Sequence, residues 1–100
     1  MKIPKKFKIG NLTIKVKFKT ELLDECNIYG RCRYDKQDIL LSNYSNNELL
    51  SEEHVLQTFY HEKIHHILNM MGENDLNKNE QFVDLFANFL LQTDLTAKYE

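Results

Sequence analysis

Two histidines four residues apart, with a glutamate directly after the first, are the strongest chemical signal in this 100-residue chain. They lie in the segment His61-Glu62-Lys63-Ile64-His65. Side chains four residues apart on a helix project from the same face, so both imidazoles can bind one Zn²⁺ ion. Glu62 is offset by about 100° round such a helix, where it can act as a general base on the metal-bound water without binding the metal. The spacing therefore predicts one catalytic zinc ion per chain.

The polar side of this helix has two interpretations. On a helical wheel, His61, Glu62 and His65 share one arc with three other polar residues, His54, Thr58 and Asn69. Such an arc can simply face solvent, but solvent-facing arcs usually carry Lys, Glu and Gln, whereas histidine dominates this one. The composition of the arc favours metal binding.

A catalytic zinc ion usually has three protein ligands and one open position, and the best candidate for the third ligand is Glu80. Gly72 is placed to end the first helix, and the following residues are enough to bring the chain back over the roughly 9 Å of helix beyond His65. Asp84 lies one helical turn after Glu80 on the same face. It can accept a hydrogen bond from the free ring N–H of a zinc-binding histidine. The predicted set is therefore His61, His65 and Glu80 as ligands, with Asp84 behind one of the histidines.

Other residues compete for these roles. Glu80 also fits the last position of a capping box that begins at Asn77, in which case its carboxylate would bond to the start of the helix rather than to a metal. Glu73 and Asp75, which precede the second helix, are alternative third ligands. The spacing alone leaves these alternatives open.

The motif helix and the glutamate that follows it resemble the gluzincins, which are the thermolysin-like zinc peptidases. The small size of the chain and its N-terminal hairpins are similar to the minimal zinc metallopeptidases of phages and mobile elements. The resemblance implies a defined set of roles: zinc ligands His61, His65 and Glu80, general base Glu62, and Asp84 orienting His61. It also implies that an extended peptide pairs with an edge strand beside the site, a role that would fall to the second hairpin, with Ile39–Ser42 as the candidate strand.

The predicted function is a zinc-dependent metallohydrolase, most simply a small peptidase that cleaves peptide bonds with a zinc-bound water activated by Glu62. The alternative is a zinc-binding phage or mobile-element interaction module with weak or no catalysis. The larger thermolysin-like enzymes take an oxyanion-stabilising His or Tyr from a further domain, and we expect no such domain here. Tyr29, Tyr34 and Tyr60 are the candidates for that donor in this chain.

The elements that must position these residues follow from the periodicity of the sequence. Residues 12–19 alternate between apolar and polar side chains, which indicates a half-buried strand. Gly10 and Asn11 form a turn that joins this strand to a short one at Phe7–Ile9. Ile28–Tyr34 and Ile39–Ser42 flank a polar turn and form a second hairpin.

From Ser51 the apolar period becomes helical. Ser51 is a suitable N-cap, and a largely buried helix extends from there to Gly72. Asn77 can cap a second helix that ends near Thr96. The stripe that faces the first helix is predicted at six apolar positions, Phe82, Val83, Phe86, Phe89, Leu90 and Leu91. The predicted fold class is α+β: one domain over residues 1–100, with a small antiparallel sheet in residues 1–50 and a two-helix hairpin carrying the metal site in residues 51–100.

Composition and charge exclude several classes of protein. Hydrophobic residues make up 42% of the chain and charged residues 28%, as in a folded domain rather than a disordered segment. The net charge of −2 does not favour a nucleic-acid partner, and three of the seven lysines of residues 1–20 lie on the solvated face of the first long strand. We expect neither a membrane span nor a secretory signal, because no long apolar segment is present and no apolar region follows the basic N-terminal residues. We expect a cytoplasmic protein with a peptide or protein substrate and no membrane partner.

The remaining histidines and the cysteines have plainer interpretations. His54 lies on the same helical face as His61 but about 10 Å before it, and we interpret it as a surface histidine that could instead line a substrate cleft or assist proton transfer. His66 is interpreted as a hydrogen-bonded structural histidine. Cys26 and Cys32 do not match a structural zinc spacing and are expected to be free thiols.

Overall fold

The computed structural model describes residues 2–21 and 28–100. The described strands are β1 (Lys6–Ile9), β2 (Leu12–Phe18), β3 (Gly30–Arg33), β4 (Asp38–Leu41), β5 (Tyr44–Ser45) and β6 (Glu48–Leu49). They are followed by the helices α1 (Glu52–Met71), α2 (Asn74–Lys78) and α3 (Glu80–Thr96). The predicted α+β class is therefore confirmed. Cys26 lies outside the described residues.

The first four strands form one sheet in the spatial order β1–β2–β4–β3, and β5 pairs with β6 separately. Both predicted hairpins are present: β1 is antiparallel to β2 through a turn at Gly10, where φ is 59°, and β3 is antiparallel to β4. The hairpins meet through β2 and β4, which are parallel, with Val16 opposite Ile39. A small antiparallel sheet was predicted, and the parallel pairing of β2 with β4 departs from it. Alternation defines the buried face of a strand but not the direction of its neighbour, so the sequence pattern could not reveal the parallel pair.

β4 is a central strand, which corrects the prediction that Ile39–Ser42 borders the substrate. All four residues of β4 are buried, and the strand pairs with β2 on one side and β3 on the other. Its consecutive apolar residues are typical of a strand that is buried on both faces. The strand at the edge of the sheet beside α1 is instead β3.

α1 begins and ends as predicted and packs against both the sheet and α3. Ser51 Oγ accepts a hydrogen bond from the backbone N–H of His54 at 3.1 Å, and Gly72 ends the helix with a φ of 75°. The core joins three layers: Ile14, Ile39 and Leu41 from the sheet, Val55, Leu56, Phe59, Tyr60, Ile64 and Leu68 from α1, and Val83, Ala87 and Leu91 from α3. This packing fixes the rotation of α1 about its axis and thereby the direction of its histidines.

The N-cap of α3 lies two residues later in the chain than predicted. Asn79, rather than Asn77, caps the helix, because its side-chain oxygen accepts a hydrogen bond from the backbone N–H of Phe82 at 3.1 Å. Asn77 lies in α2, where its side chain bonds to His65. Glu80 is therefore the first residue of α3, and the capping-box interpretation of Glu80 is wrong.

The buried face of α3 also differs from the predicted stripe. Val83, Ala87 and Leu91 are buried, whereas Phe86 and Phe89 are 45% and 58% exposed. α3 carries apolar side chains round most of its circumference, so periodicity does not identify the face that meets α1.

Candidate metal centre

The helix α1 brings the two motif histidines together. The Nε2 atoms of His61 and His65 lie 3.2 Å apart, and the ring centroids are separated by 4.9 Å. His65 is buried and His61 is half-buried. The i, i+4 spacing places both rings on one face, and the packing of α1 directs that face toward the start of α3.

The carboxylate of Glu80 completes a three-donor cluster with these rings. Glu80 Oε2 lies 3.1 Å from Nε2 of His61, and Oε1 lies 3.2 Å from Nε2 of His65. Zinc bonds of about 2.0–2.1 Å at tetrahedral angles require donor atoms roughly 3.3–3.4 Å apart. The two histidine nitrogens, 3.2 Å apart, are close to that spacing, and each lies within 3.2 Å of one oxygen of the Glu80 carboxylate. With one donor atom taken from each residue, the three atoms lie within 4.8 Å of one another.

Glu73 and Asp75 do not belong to this cluster. Over residues 2–21 and 28–100, the three residues whose donor atoms converge closely enough to hold a metal are His61, His65 and Glu80. The turn at Gly72 and the short helix α2 bring Glu80 back over α1, and α2 carries Asp75 without turning it into the cluster.

Each histidine has a polar partner at its second ring nitrogen. Asp84 Oδ1 lies 3.5 Å from Nδ1 of His61, and Asn77 Oδ1 lies 2.6 Å from Nδ1 of His65. Such partners orient zinc-binding imidazoles in proteins. Asn77 was missed by the sequence analysis, which assigned it to a cap. Each ligating histidine requires such a partner, and Asp84 serves only one of them. The polar residues between the two long helices were therefore the signal that could have indicated a partner for the other histidine.

The hydrogen bond to Asn77 determines which nitrogen of His65 is free. Asn77 Oδ1 can only accept, so Nδ1 of His65 donates this hydrogen bond, and a ring that carries only that proton has its lone pair on Nε2. That lone pair points toward the carboxylate of Glu80 at 3.2 Å. A lone pair and a carboxylate repel each other at this distance unless a cation or a proton lies between them. Two imidazole nitrogens and one carboxylate oxygen form a donor set that zinc commonly takes in proteins.

Glu62 lies beside the cluster rather than in it. Its side chain is buried, and within the described part of the chain its Oε2 atom has no hydrogen-bond partner. Burial raises the pKa of Glu62, and the nearby charge of Glu80 acts in the same direction, against the opposite effect of the two histidines. A buried carboxylate with a raised pKa and a free oxygen suits a group that takes up and releases a proton.

A cleft of about 290 Å³ opens next to His61 and Glu62. His54 lines this cleft, where its ring packs edge-on against Tyr29 with 4.6 Å between centroids. It is half-buried rather than a freely exposed histidine, so the structure favours the cleft-lining interpretation of His54. Tyr29 remains a candidate oxyanion donor on this side of the site.

β3 forms the wall of the site opposite α1. A Cβ atom on Gly30 would lie 3.3 Å from Cγ of Glu62, so the strand passes close to that side chain. The backbone N–H of Ser42 donates to the carbonyl of Tyr29 at 2.9 Å, so alternation turns the backbone groups of Gly30 and Cys32 away from β4. Among the described residues no strand pairs with this outer edge. As far as residues 2–21 and 28–100 are concerned, this edge is free to pair with an added strand.

Three other side chains lie outside the metal-ligand cluster. His66 is buried and its Nε2 atom lies 2.8 Å from the backbone oxygen of Asp38, as expected for a structural histidine. Tyr60 is buried in the core and its hydroxyl donates to Asp94, so it is not directed at the metal-ligand cluster. Cys32 is a free thiol, as predicted.

No family model, curated protein or solved structure matches this chain. Within residues 2–21 and 28–100, no helix combines the length and the apolar character that crossing a membrane requires. The function has to be inferred from the chemistry and geometry of the site.

Proposed function

We propose that this protein is a zinc-dependent hydrolase and, most simply, a small gluzincin-like peptidase of the cytoplasm. The observation that carries the proposal is the convergence of two imidazole nitrogens, 3.2 Å apart, on the carboxylate of Glu80, whose two oxygens lie 3.1 Å and 3.2 Å from them, beside a buried glutamate with a free oxygen atom. His61, His65 and Glu80 hold the ion. A zinc ion with three protein ligands acts as a Lewis acid that lowers the pKa of a water and polarises a carbonyl.

The base of the proposed reaction is Glu62. It takes a proton from the water that attacks the substrate carbonyl and delivers that proton to the leaving amine. Its burial supports this role, because a carboxylate with a raised pKa holds the proton between the two steps more readily than an exposed one. Asp84 and Asn77 hold the two histidines in orientation from behind.

The open edge of β3 is the proposed binding site for the substrate backbone. An extended peptide adds to such an edge through main-chain hydrogen bonds, here to Gly30 and Cys32. Because Gly30 lies against Glu62, a peptide in this position runs past the base. The cleft beside Tyr29 and His54 can then receive a substrate side chain.

Zinc content and turnover, measured on matched variants, test the proposal. We expect about one zinc per chain in the wild type and in Glu62→Gln, and a marked loss of zinc in Glu80→Ala. Cleavage of a mixed peptide library, followed by mass spectrometry, should fall at least roughly 100-fold in Glu62→Gln. Glu73→Gln, which changes an exposed glutamate outside the cluster, is the control and should retain both zinc and turnover.

Each alternative gives a different result. A wild type that binds no zinc when zinc is supplied contradicts the metal site. A wild type that binds zinc and cleaves no peptide supports the zinc-binding interaction module instead. Equal turnover in Glu62→Gln and the wild type would show that Glu62 is not the base.

A further inference from the structure

The charged side chains of α3 all lie on the side of the helix that faces α1. Asp94 accepts a hydrogen bond from the hydroxyl of Tyr60. Oδ1 of Asp84 and Oε2 of Glu80 lie 3.5 Å and 3.1 Å from ring nitrogens of His61. α3 contains no Lys or Arg. The side of α3 that is turned away from α1 is therefore uncharged.

This uncharged side of α3 is largely apolar and exposed. Over residues 2–21 and 28–100, α3 packs mainly against α1 and α2. Leu85, Phe86 and Phe89 are 47%, 45% and 58% exposed. At about 100° per residue, they share an arc of roughly 100° with three further uncharged residues. This arc, the outer face of α3, consists of Phe82, Leu85, Phe86, Phe89, Thr93 and Thr96.

Five residues of the outer face have the spacing of a coiled-coil seam. They follow one another at alternate steps of four and three residues and are Phe82, Phe86, Phe89, Thr93 and Thr96. That repeat keeps side chains in line along a helix that packs against another helix. A membrane surface fits less well, because interfacial helices carry Lys or Arg beside the apolar face and α3 has neither. The spacing therefore points to a second helix as the occupant of this face.

The two threonines of the seam can be covered without leaving a hydroxyl unpaired. Thr93 Oγ1 donates to the backbone oxygen of Leu90 at 2.7 Å, and Thr96 Oγ1 donates to that of Gln92 at 2.8 Å. Burial of an unpaired hydroxyl costs free energy, whereas these two are already satisfied within α3. The seam is therefore bulky and aromatic toward the start of α3, and small toward its end.

This order of large and small side chains makes the seam complementary to itself. Phe89 is its middle member, so an antiparallel copy centred on Phe89 places Phe82 opposite Thr96 and Phe86 opposite Thr93. Large residues then face small ones, which is how packed helices fill the space between them. A parallel copy would place large residues opposite large ones and small opposite small. The acids of α3 lie on the far side of the helix, so the antiparallel pair brings no like charges together.

The outer face is large enough for a reversible dimer. Phe86 and Phe89 together expose about as much surface as one whole phenylalanine side chain, or roughly 200 Å². With Leu85, the half-buried Phe82 and the two threonines, the face reaches roughly half of the 800 Å² that each partner contributes to a standard interface. Association through it should therefore be weak and dependent on concentration.

We propose that the outer face of α3 is a homodimer interface, in which α3 packs antiparallel against α3 of a second copy about a two-fold axis near Phe89. A two-fold axis brings the same face of both copies together, so one self-complementary seam is sufficient. The inference does not rest on the proposed function, because Glu80 and Asp84 project from the opposite side of α3. Zinc content is therefore an independent check on each variant.

The first measurement is the mass of the wild-type protein in solution as a function of its concentration. Sedimentation velocity should show a monomer–dimer equilibrium with a Kd of about 1–100 μM, as expected for an interface below standard size. A monomer up to about 500 μM, or an assembly larger than a dimer, would overturn the proposal. This measurement needs no variant, so it does not depend on how a substitution affects folding.

The second measurement compares two matched variants, Phe89→Lys and Leu95→Lys. Leu95 is 45% exposed and lies about 120° from Phe89 round α3, outside the outer face. Phe89→Lys places two cations together at the axis and should raise the Kd of the dimer at least about tenfold. Leu95→Lys should change the Kd less than about twofold, and both variants should keep the zinc content of the wild type. Equal Kd values for Phe89→Lys and the wild type would overturn the proposal, as would a dimer that only Leu95→Lys weakens.

A mixture of two further variants tests the antiparallel direction. Thr93→Lys and Phe86→Glu should each dimerise poorly alone, because the pairing covers a charge that has no partner. In the mixed dimer, Lys at position 93 faces Glu at position 86, and the other layer keeps Phe86 opposite Thr93. The mixture should therefore form heterodimers with a Kd at least about tenfold below that of either variant alone. A parallel pair would leave both charges without a partner, so a mixture that associates no more tightly than its components would overturn the proposed pairing.

Discussion

Gly30 is the residue at which the sheet and α1 come closest beside the candidate base. A Cβ atom at this position would lie 2.4 Å from the Cγ2 methyl of Thr58 and 3.3 Å from Cγ of Glu62. Nonbonded carbon atoms are ordinarily about 3.5–4.0 Å apart. Gly30→Ala therefore creates an overlap of more than about 1 Å with Thr58 unless β3 moves away from α1.

The magnitude follows from how little freedom Thr58 has. Its side chain is β-branched and stiff in a helix, and its Oγ1 donates to the backbone oxygen of His54 at 3.0 Å. Rotating the methyl away would break that hydrogen bond. Overpacking of this kind costs about 1–3 kcal/mol, and we expect Gly30→Ala to reduce the free energy of unfolding by about 2 kcal/mol. In a domain of 100 residues this corresponds to a decrease in Tm of about 8–16 °C.

A double-mutant cycle tests this reasoning. Thr58→Ser removes the clashing methyl and keeps the hydroxyl, so Gly30→Ala in that background should cost less than about 1 kcal/mol, the remainder coming from Glu62. Urea unfolding of the four proteins gives the coupling energy. Equal costs of Gly30→Ala in both backgrounds would show that the methyl contact is not the cause. A Gly30→Ala variant as stable as the wild type would refute the close approach itself.

Three further predictions concern acid stability, core hydrogen bonding and metal binding. Burial alone raises the pKa of Asp38, but the hydrogen bonds and charge of Arg33 outweigh it and leave that pKa below its ordinary value. The resulting stabilisation is present above about pH 4 and is lost as the pH falls below it, so the gap in Tm between the wild type and Asp38→Asn should close toward pH 3. A gap that stays constant would contradict this. Tyr60→Phe removes the hydroxyl that donates to Asp94 and should lower the free energy of unfolding, measured in urea, by about 1 kcal/mol. An unchanged urea midpoint would show that this hydrogen bond does not contribute to stability. Zn²⁺ at about 100 times its Kd should raise the wild-type Tm by roughly 10–20 °C, and an equal rise in Glu80→Ala would exclude Glu80 as a ligand.

The sequence predicted the features that depend on residues close together in the chain. The spacing of His61 and His65 determines that both rings share one face of α1, because helical geometry repeats every 3.6 residues. Ser51 and Gly72 mark the ends of that helix, because capping is satisfied within a few residues of the helix terminus. The alternation of apolar and polar side chains identified the strands of the hairpins, because this pattern also involves only residues close together in the chain.

For features that depend on contacts between distant elements, the sequence either left alternatives open or gave a wrong prediction. Glu80 competed with Glu73 and Asp75 until the turn and α2 brought the start of α3 over α1. Asn77 was predicted as a cap, whereas it contacts His65, and Asn79 two residues later provides the cap instead. Side-chain chemistry was identical in these alternatives, so only the tertiary arrangement distinguished them.

The sheet and α3 show the same limit in their packing. β4 is central and parallel to β2 because its two neighbours come from different hairpins, and no local pattern encodes which strands meet. Phe86 and Phe89 are as apolar as the buried residues of α3, yet the packing against α1 leaves them exposed. The sequence alone determined which side chains could bind a metal. The tertiary structure determined which of them meet, because convergence within a few ångströms depends on how whole elements pack.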